Sequence, residues 1–232
     1  MNLEYILPLV TFWNAISYHF AKYGPPEITN NALCLIHSVS FIAHYSYDYN
    51  MTYAVHASIA FFIYDLLYIL RRVFISYRRD DDPHPHKHTH ELNKRLPFII
   101  HHIASIYILY SAITIVNGQY ILYAFLILEK SNIMIYVSYH LHKQYREYTR
   151  INVISEFVQL MTYTYYRLFA LSVFIYDRRQ TALFTYPYIT QLLVLLVYFM
   201  GYAWSYRLLK KNIMNYGVIY AAAASRKYTS AG

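Results

Sequence analysis

The chain has 232 residues, of which 57% are apolar and only 14% are charged. Soluble domains carry roughly 25% charged residues, so this composition excludes an ordinary water-soluble protein. The net charge of +8 does not indicate nucleic-acid binding, because the basic residues lie between apolar segments and form no stripe interleaved with aromatic residues. We therefore expect an integral membrane protein made of one polytopic domain.

Seven apolar runs lie between the charged clusters, and a membrane-spanning helix needs about 20 mostly apolar residues. The first run has no basic leading region and no small-residue cleavage site, so we interpret it as a retained span. The sequence thus predicts an all-α integral membrane bundle of about seven transmembrane helices. In chain order the runs are approximately 3–21, 31–47, 52–74, 96–116, 118–141, 151–176 and 182–208.

The distribution of Lys and Arg predicts the orientation of these spans, since both residues collect in cytoplasmic loops. With the N-terminus outside, the outer turns hold only Arg178 and Arg179, and all the other basic turns lie inside. We predict a lumenal or external N-terminus, a cytoplasmic linker at 78–95 and a cytoplasmic C-terminus. The prolines of that linker argue against a continuous helix there.

Ionisable side chains occur inside three of the predicted spans, where they are costly and usually mark a functional site. Asp65 lies near the middle of the third span, Glu129 near the middle of the fifth and Arg167 past the middle of the sixth. An unpaired guanidinium at that depth is strongly unfavourable, so we expect Arg167 within salt-bridge or one-water reach of Glu129 or Asp65. The alternative is that these groups only tie the helices together.

Two adjacent histidines, His101 and His102, lie about five residues into the fourth span, roughly 8 Å below its cytoplasmic end. An imidazole can act as base, acid or nucleophile near neutral pH, so the pair is a candidate reactive centre. Helical spacing places Ser105 on the same face. By the same spacing Tyr68 accompanies Asp65 on the third span, and Asn132 accompanies Glu129 on the fifth.

A second histidine cluster follows three aspartates in the predicted linker. It is either a tract that binds metal opportunistically or a solvated charged loop. A membrane di-iron enzyme would need many histidines at i, i+3 and i, i+4 spacing, and no pair within or beside the spans has it, although further histidines in the second and third spans keep this alternative open. We predict no bound metal and no bound cofactor. The cluster consists of His84, His86, His88 and His90.

The polar motifs, in their order along the spans, resemble the TLC-domain family, named for TRAM, Lag and CLN proteins, which includes the ceramide synthases. The similar stretches are IHHIAS at 100–105 and EKSN at 129–132. Asp65 and Tyr68 precede them, and Arg167 follows.

Ceramide synthases carry a signature that begins HHxxT and contains a later HDxxD. The beginning is similar to His101, His102 and Ser105, but the later motif is missing, because Leu128 and Glu129 stand in its place. The chain is therefore more similar to the small TLC-domain proteins than to a sphingoid-base acyltransferase.

The resemblance covers roughly residues 31–210, between a first helix and loop at 1–30 and a cytoplasmic tail at 211–232. It implies a helical bundle of the endoplasmic reticulum or another endomembrane, enclosing a lipid-sized cavity with the paired histidines at its polar end. It also implies acyl transfer, with acyl-CoA as a candidate co-substrate and membrane lipids as partners. One imidazole would accept the acyl group or deprotonate the nucleophile, and Glu129 or Asp65 would orient it.

The resemblance leaves two functions open. The first is acyl transfer to a lipid or amine, and the second is a non-enzymatic lipid-binding protein, cargo receptor or membrane chaperone, as a monomer or an oligomer. A cavity that reaches His101 from the cytoplasm would favour the enzyme, and a filled core would favour the second function. The implied catalytic residues are His101, His102, Asp65 and Glu129, and the implied substrate-binding residues are Ser105, Asn132, Arg167 and Tyr68.

Overall fold

Helices account for nearly all of the described chain. A computed structural model describes residues 3–47, 51–79, 85–144, 150–180 and 183–229. A π-helical turn, Tyr165–Ala170, joins α6 to α7 without a break, so these helices form one rod. The described residues therefore form seven rods, and the predicted all-α architecture is confirmed. The helices are α1 (Leu3–Phe20), α2 (Pro26–Ser46), α3 (Met51–Arg79), α4 (Pro85–Thr114), α5 (Gln119–Gln144), α6 (Arg150–Thr164), α7 (Leu171–Arg178) and α8 (Tyr188–Thr229).

Four of the helices contain segments long and apolar enough to cross a membrane, and these segments hold 23 to 27 residues each. They match the predicted third, fourth, fifth and seventh spans. The α1, α2 and α6–α7 rods pack beside them in the same bundle. The four segments are Met51–Ile75, Leu92–Thr114, Gln119–Gln144 and Tyr188–Met214.

Two segments predicted as linker and tail are more helical than expected. The predicted linker at 78–95 includes the end of α3, which stops at Arg79, and the first residues of α4, which begins at Pro85. Proline suits the first position of a helix, because its missing N–H has no intrahelical acceptor there and its φ angle is already helical. Of the predicted tail at 211–232, residues 211–229 belong to α8, which continues to Thr229. At 1.5 Å per residue α8 is roughly 63 Å long, about twice the hydrocarbon thickness.

Six rods form a closed ring in the order α2, α3, α4, α8, α6–α7 and α5, each in contact with the next. The first helix lies outside this ring and packs mainly against α3, where Trp13 Nε1 donates a hydrogen bond to the Ala57 carbonyl at 3.3 Å. We call the end of the bundle where α3 ends and α4 begins the basic end. It carries Arg72, Lys94 and Arg95, and the C-terminal half of α8 adds further basic residues there.

The opposite end of the bundle is closed by a tight turn between α4 and α5. Asn117 adopts a left-handed φ of 63°, which asparagine tolerates better than most residues. A Cβ on Gly118 would lie 2.0 Å from the Ala112 carbonyl oxygen, so this position accepts only glycine. The Tyr186 hydroxyl donates to the Asn117 carbonyl at 3.0 Å and ties this turn to the start of α8.

Candidate functional site

A cavity of about 850 Å³ opens at the basic end and extends into the ring. All six rods of the ring contribute to its wall. Along α2 the wall runs from Glu27 to His37, a distance of roughly 15 Å at 1.5 Å per residue. The cavity therefore reaches about halfway through a hydrocarbon core of about 30 Å. Its volume lies within the range of about 300–1,000 Å³ typical of ligand pockets.

His102 and Asp65 form a buried pair in the wall between α4 and α3. His102 Nε2 lies 2.7 Å from Asp65 Oδ2, and His102 Nδ1 donates to the Phe98 carbonyl at 2.6 Å. The other carboxyl oxygen of Asp65 accepts a hydrogen bond from Asn30 Nδ2 at 2.9 Å. Because a carbonyl only accepts, Nδ1 carries a proton, and a second proton lies between Nε2 and the carboxyl. Both ring nitrogens of His102 are thus committed to hydrogen bonds.

His101 also lines the cavity, but its surroundings are different. Its ring stands at 85° to that of His102 and packs edge-on against the Trp204 indole, with the centroids 5.5 Å apart. Its Nδ1 is buried and has no hydrogen-bond partner. His101 is therefore the imidazole of the pair whose nitrogens are not both engaged by the protein.

Glu129 belongs to a separate polar cluster in the wall between α5 and α2. Ser38 Oγ donates a short hydrogen bond to Glu129 Oε2, and His37 Nδ1 lies 3.9 Å from the same oxygen. His37 Nε2 in turn contacts Ser58 Oγ at 3.0 Å. Of the two carboxyls implied to orient the paired histidines, Asp65 contacts His102, and Glu129 is held by the residues of this cluster instead.

Arg167 lies in the π-helical turn, and such turns are frequent at functional sites. Its Nε donates to Ser131 Oγ at 2.9 Å and one terminal nitrogen donates to Asn132 Oδ1 at 2.9 Å. The guanidinium also stands 4.9 Å from the centre of the Tyr163 ring and 5.9 Å from that of the Trp204 ring. The π turn thus directs this side chain inward, to the cavity wall.

Arg167 makes no direct salt bridge in the described part of the chain, since no carboxylate there lies within 4.0 Å of the guanidinium, and its predicted reach to Glu129 or Asp65 through one water stays a prediction. The Asn132 side-chain oxygen accepts a hydrogen bond from Arg167 instead. Asn132 and Glu129 are three residues apart on one face of α5. The guanidinium is therefore held by an amide on the same helix face as Glu129 and not by that carboxylate.

The remaining predicted site residues divide between two places. Tyr68 and Asn132 line the large cavity, and the buried Tyr68 hydroxyl has no partner. Ser105 does not line it. It is buried against a separate apolar pocket of about 70 Å³, together with Ile108 and Leu128. Ser105 shares a face with the histidines, but it lies one helical turn farther from the basic end.

The contributions of α2 and α8 to this site were not predicted from the sequence. Asn30, which donates a hydrogen bond to Asp65, precedes the predicted second span, and Ser38 lies inside that mostly apolar span. Trp204, Arg207 and Lys211 line the cavity from α8. Trp204 had a signal, as one of two tryptophans in the chain, but helical periodicity alone cannot tell which partner helix such a side chain faces.

The cavity mouth is rich in positive charge. Arg72 pairs with Glu27 at 2.6 Å, and Lys211 pairs with Glu156 at 2.6 Å. Arg207 is exposed at the same mouth. The side chains of the second histidine cluster, at 84–90, lie outside the described residues.

The fold and the site define an integral membrane helical bundle with a polar cavity open at one end. A family comparison matches residues 8–210 to the TLC domain (TRAM_LAG1_CLN8). The match covers most of the 232 residues, and the protein belongs to the TLC domain family. No match was found among curated proteins or among solved structures. The predicted family is confirmed, and the greater similarity to the small TLC-domain proteins stays a prediction.

Proposed function

We propose that this protein handles membrane lipids by transferring an acyl group inside the large cavity, with His101 as the reacting imidazole. The observation that carries the proposal is the asymmetry of the paired histidines at the cavity wall. Both histidines line the cavity, but His102 is held by Asp65 and the Phe98 carbonyl, whereas His101 Nδ1 has no hydrogen-bond partner. A fixed neighbour and an unengaged imidazole suit a reactive residue beside a positioning residue.

In the proposed reaction, an amine or hydroxyl of the acceptor attacks the carbonyl carbon of an acyl thioester. A ring nitrogen of His101 takes the proton that the acceptor loses. The carbon–sulfur bond breaks, the thiolate leaves and it takes up that proton. Alternatively, the His101 nitrogen first accepts the acyl group and then passes it to the acceptor. Both routes yield an amide or ester and a free thiol, and neither requires an oxidant or a reductant.

The charge at the mouth supports acyl-CoA as the donor. Lys94, Arg95 and Arg207 surround the opening of the cavity, and guanidinium and ammonium groups bind phosphate oxygens. The acyl chain would then enter a cavity whose wall includes Phe61, Phe62 and other apolar side chains. In this arrangement the basic end faces the cytoplasm of an endomembrane, with the endoplasmic reticulum as the proposed location.

The experiment uses the purified full chain in nanodiscs and measures thiol release from acyl-CoA with a panel of lipid amines and alcohols. We compare wild type with His101→Gln and with the control His44→Gln, which alters a histidine outside the cavity lining. General acid–base catalysis contributes about 10²- to 10⁴-fold, so His101→Gln should lower the rate by at least about 100-fold with little change in thermal stability. His44→Gln should keep the wild-type rate.

Equal rates for His101→Gln and an active wild type would remove His101 from the chemistry. If wild type transfers no acyl group with any donor but still binds lipid, the non-enzymatic lipid-binding function takes the place of the enzyme. If it instead retains a partner protein through both substitutions, the function is that of a cargo receptor or membrane chaperone.

A further inference from the structure

Arg167 is a buried cation whose nearest partners in the structure are neutral. Its side chain is 2% exposed. The guanidinium donates hydrogen bonds to a hydroxyl oxygen and an amide oxygen. Its remaining terminal nitrogen, Nη1, has no hydrogen-bond partner. A buried charge without a counter-ion is strongly unfavourable in a membrane interior. The guanidinium therefore lacks a negatively charged partner in direct contact.

The carboxyls of the cavity wall do not supply that partner. Asp65 is engaged by His102 and Asn30. Glu129 accepts a hydrogen bond from Ser38 and makes no direct salt bridge with Arg167, which donates to Asn132 instead. The cavity that Arg167 lines is the open space from which a counter-ion could approach without disturbing these bonds.

We infer that the cavity binds an amphiphile whose anionic head group, a carboxylate or a phosphate, pairs with Arg167. This inference rests on the proposed function in taking the cavity as a lipid site, and it adds the charge of the lipid. A guanidinium offers a planar fork of N–H donors that suits carboxylate and phosphate oxygens. A cationic long-chain amine would be repelled at the same place.

The position of the anionic group follows from the shared neighbour Trp204. The Trp204 indole lies 5.5 Å from the His101 ring on α4 and 5.9 Å from the Arg167 guanidinium in the π turn, the two elements that flank α8. A head group held by Arg167 would thus lie next to the unengaged imidazole. The basic residues at the mouth would favour the entry of an anion into this depth.

The test exploits the two tryptophans of the chain. In the Trp13→Phe variant, the remaining tryptophan fluorescence comes from Trp204 in the cavity wall. We measure how this fluorescence is quenched by dibromostearic acid, dibromostearyl alcohol and dibromostearyl amine in phosphatidylcholine nanodiscs. Each compound is titrated over the same range of mole fractions in the bilayer. The acid should quench at a concentration at least about tenfold lower than the alcohol, which corresponds to about 1.4 kcal/mol. The amine should be the weakest quencher.

Variants assign that preference to the guanidinium. Arg167→Gln should remove the preference for the acid, and Arg167→Lys should keep part of it, because the charge remains but the fork is lost. The matched control Arg150→Gln changes an exposed arginine outside the cavity lining and should keep the preference. A lysophosphatidate competitor, compared with oleate and with inorganic phosphate, distinguishes a phosphate head group from a carboxylate and from a free ion.

Equal quenching by the acid and the alcohol in wild type overturns the inference, and this comparison does not depend on the folding of any variant. A preference that persists in folded Arg167→Gln overturns it as well. The His101→Gln variant separates the inference from the proposed function, since it should bind the acid selectively while transferring no acyl group. Selective binding by a wild type that never transfers an acyl group would retain the inference and reject the enzyme.

Discussion

Adjacent residues of a helix point about 100° apart, and this rotation gives His101 and His102 different surroundings. His102 turns toward α3 and meets Asp65, while His101 turns toward α8 and meets Trp204. The two adjacent histidines therefore differ: both ring nitrogens of His102 are hydrogen-bonded by the protein, whereas His101 keeps an unpartnered nitrogen at the cavity wall. We therefore expect substitutions of the two histidines to have unequal effects.

The buried pair of His102 and Asp65 predicts a large loss of stability when its acidic partner is neutralised. Asp65→Asn keeps the size of the side chain but leaves His102 without a carboxyl, and removing one partner of a buried pair costs about 3–5 kcal/mol. Thermal unfolding in detergent should show a clear decrease for Asp65→Asn and little change for His101→Gln. An Asp65→Asn protein as stable as wild type would show that the pair does not hold α3 and α4 together.

At the residue scale the sequence predicted the polar groups inside the membrane but not their partners. Helical spacing correctly placed Asp65, Asn132 and Arg167 at the interior. It could not show that Asn132 would take the place of a carboxylate beside Arg167, because that contact joins α5 to a distant π turn. Such contacts depend on how far each helix is rotated and displaced in the bundle, and one helix's periodicity does not contain this information.

Among the elements, the seven rods were predictable because hydropathy and charge change sharply at their ends. The extension of α8 to Thr229 was not, since its last residues are polar and carry no membrane signal. The π turn at Tyr165–Ala170 was also not predicted, because one extra residue in a helical turn does not change the hydropathy pattern of a largely apolar segment. Helix number was therefore set by the membrane, and helix length and shape by local packing.

The contact between α8 and the π turn gives a prediction at Gly201. A Cβ there would lie 3.2 Å from Arg167 Cδ, so a larger side chain must displace a guanidinium that two hydrogen bonds hold. Gly201→Val should destabilise the protein by about 1–3 kcal/mol, as overpacking typically does. The matched control is Gly24→Val, because a Cβ on Gly24 meets nothing closer than Ile28 Cγ2 at 4.0 Å.

Thermal unfolding of both glycine variants measures this effect, and quenching of Trp204 by the brominated acid reports any shift of the guanidinium. A Gly201→Val protein that is as stable as Gly24→Val would mean that Arg167 moves aside freely. In that case the close approach of α8 to the π turn would have no role in holding the guanidinium.

For the whole molecule, the positions of the basic residues predict which end faces the cytoplasm. We expect the 80–84 connection and the C-terminus to be cytoplasmic and the turn at 116–119 to be lumenal. Glycosylation acceptor sequences inserted at 80–84 and at 116–119, one at a time, test this orientation in microsomes. Only the second insertion should be glycosylated, and modification of the first would invert the topology.

The closed ring also has a consequence for how the molecule is made. Because α8 follows the other five rods of the ring in the chain and stands between α4 and α6, the wall around the cavity is incomplete until α8 has been made. Before that moment Arg167 and His101 face a gap instead of Trp204 and Gly201. Until α8 is made, the growing chain therefore carries a charged, laterally open face, and α8 then shields that face from lipid.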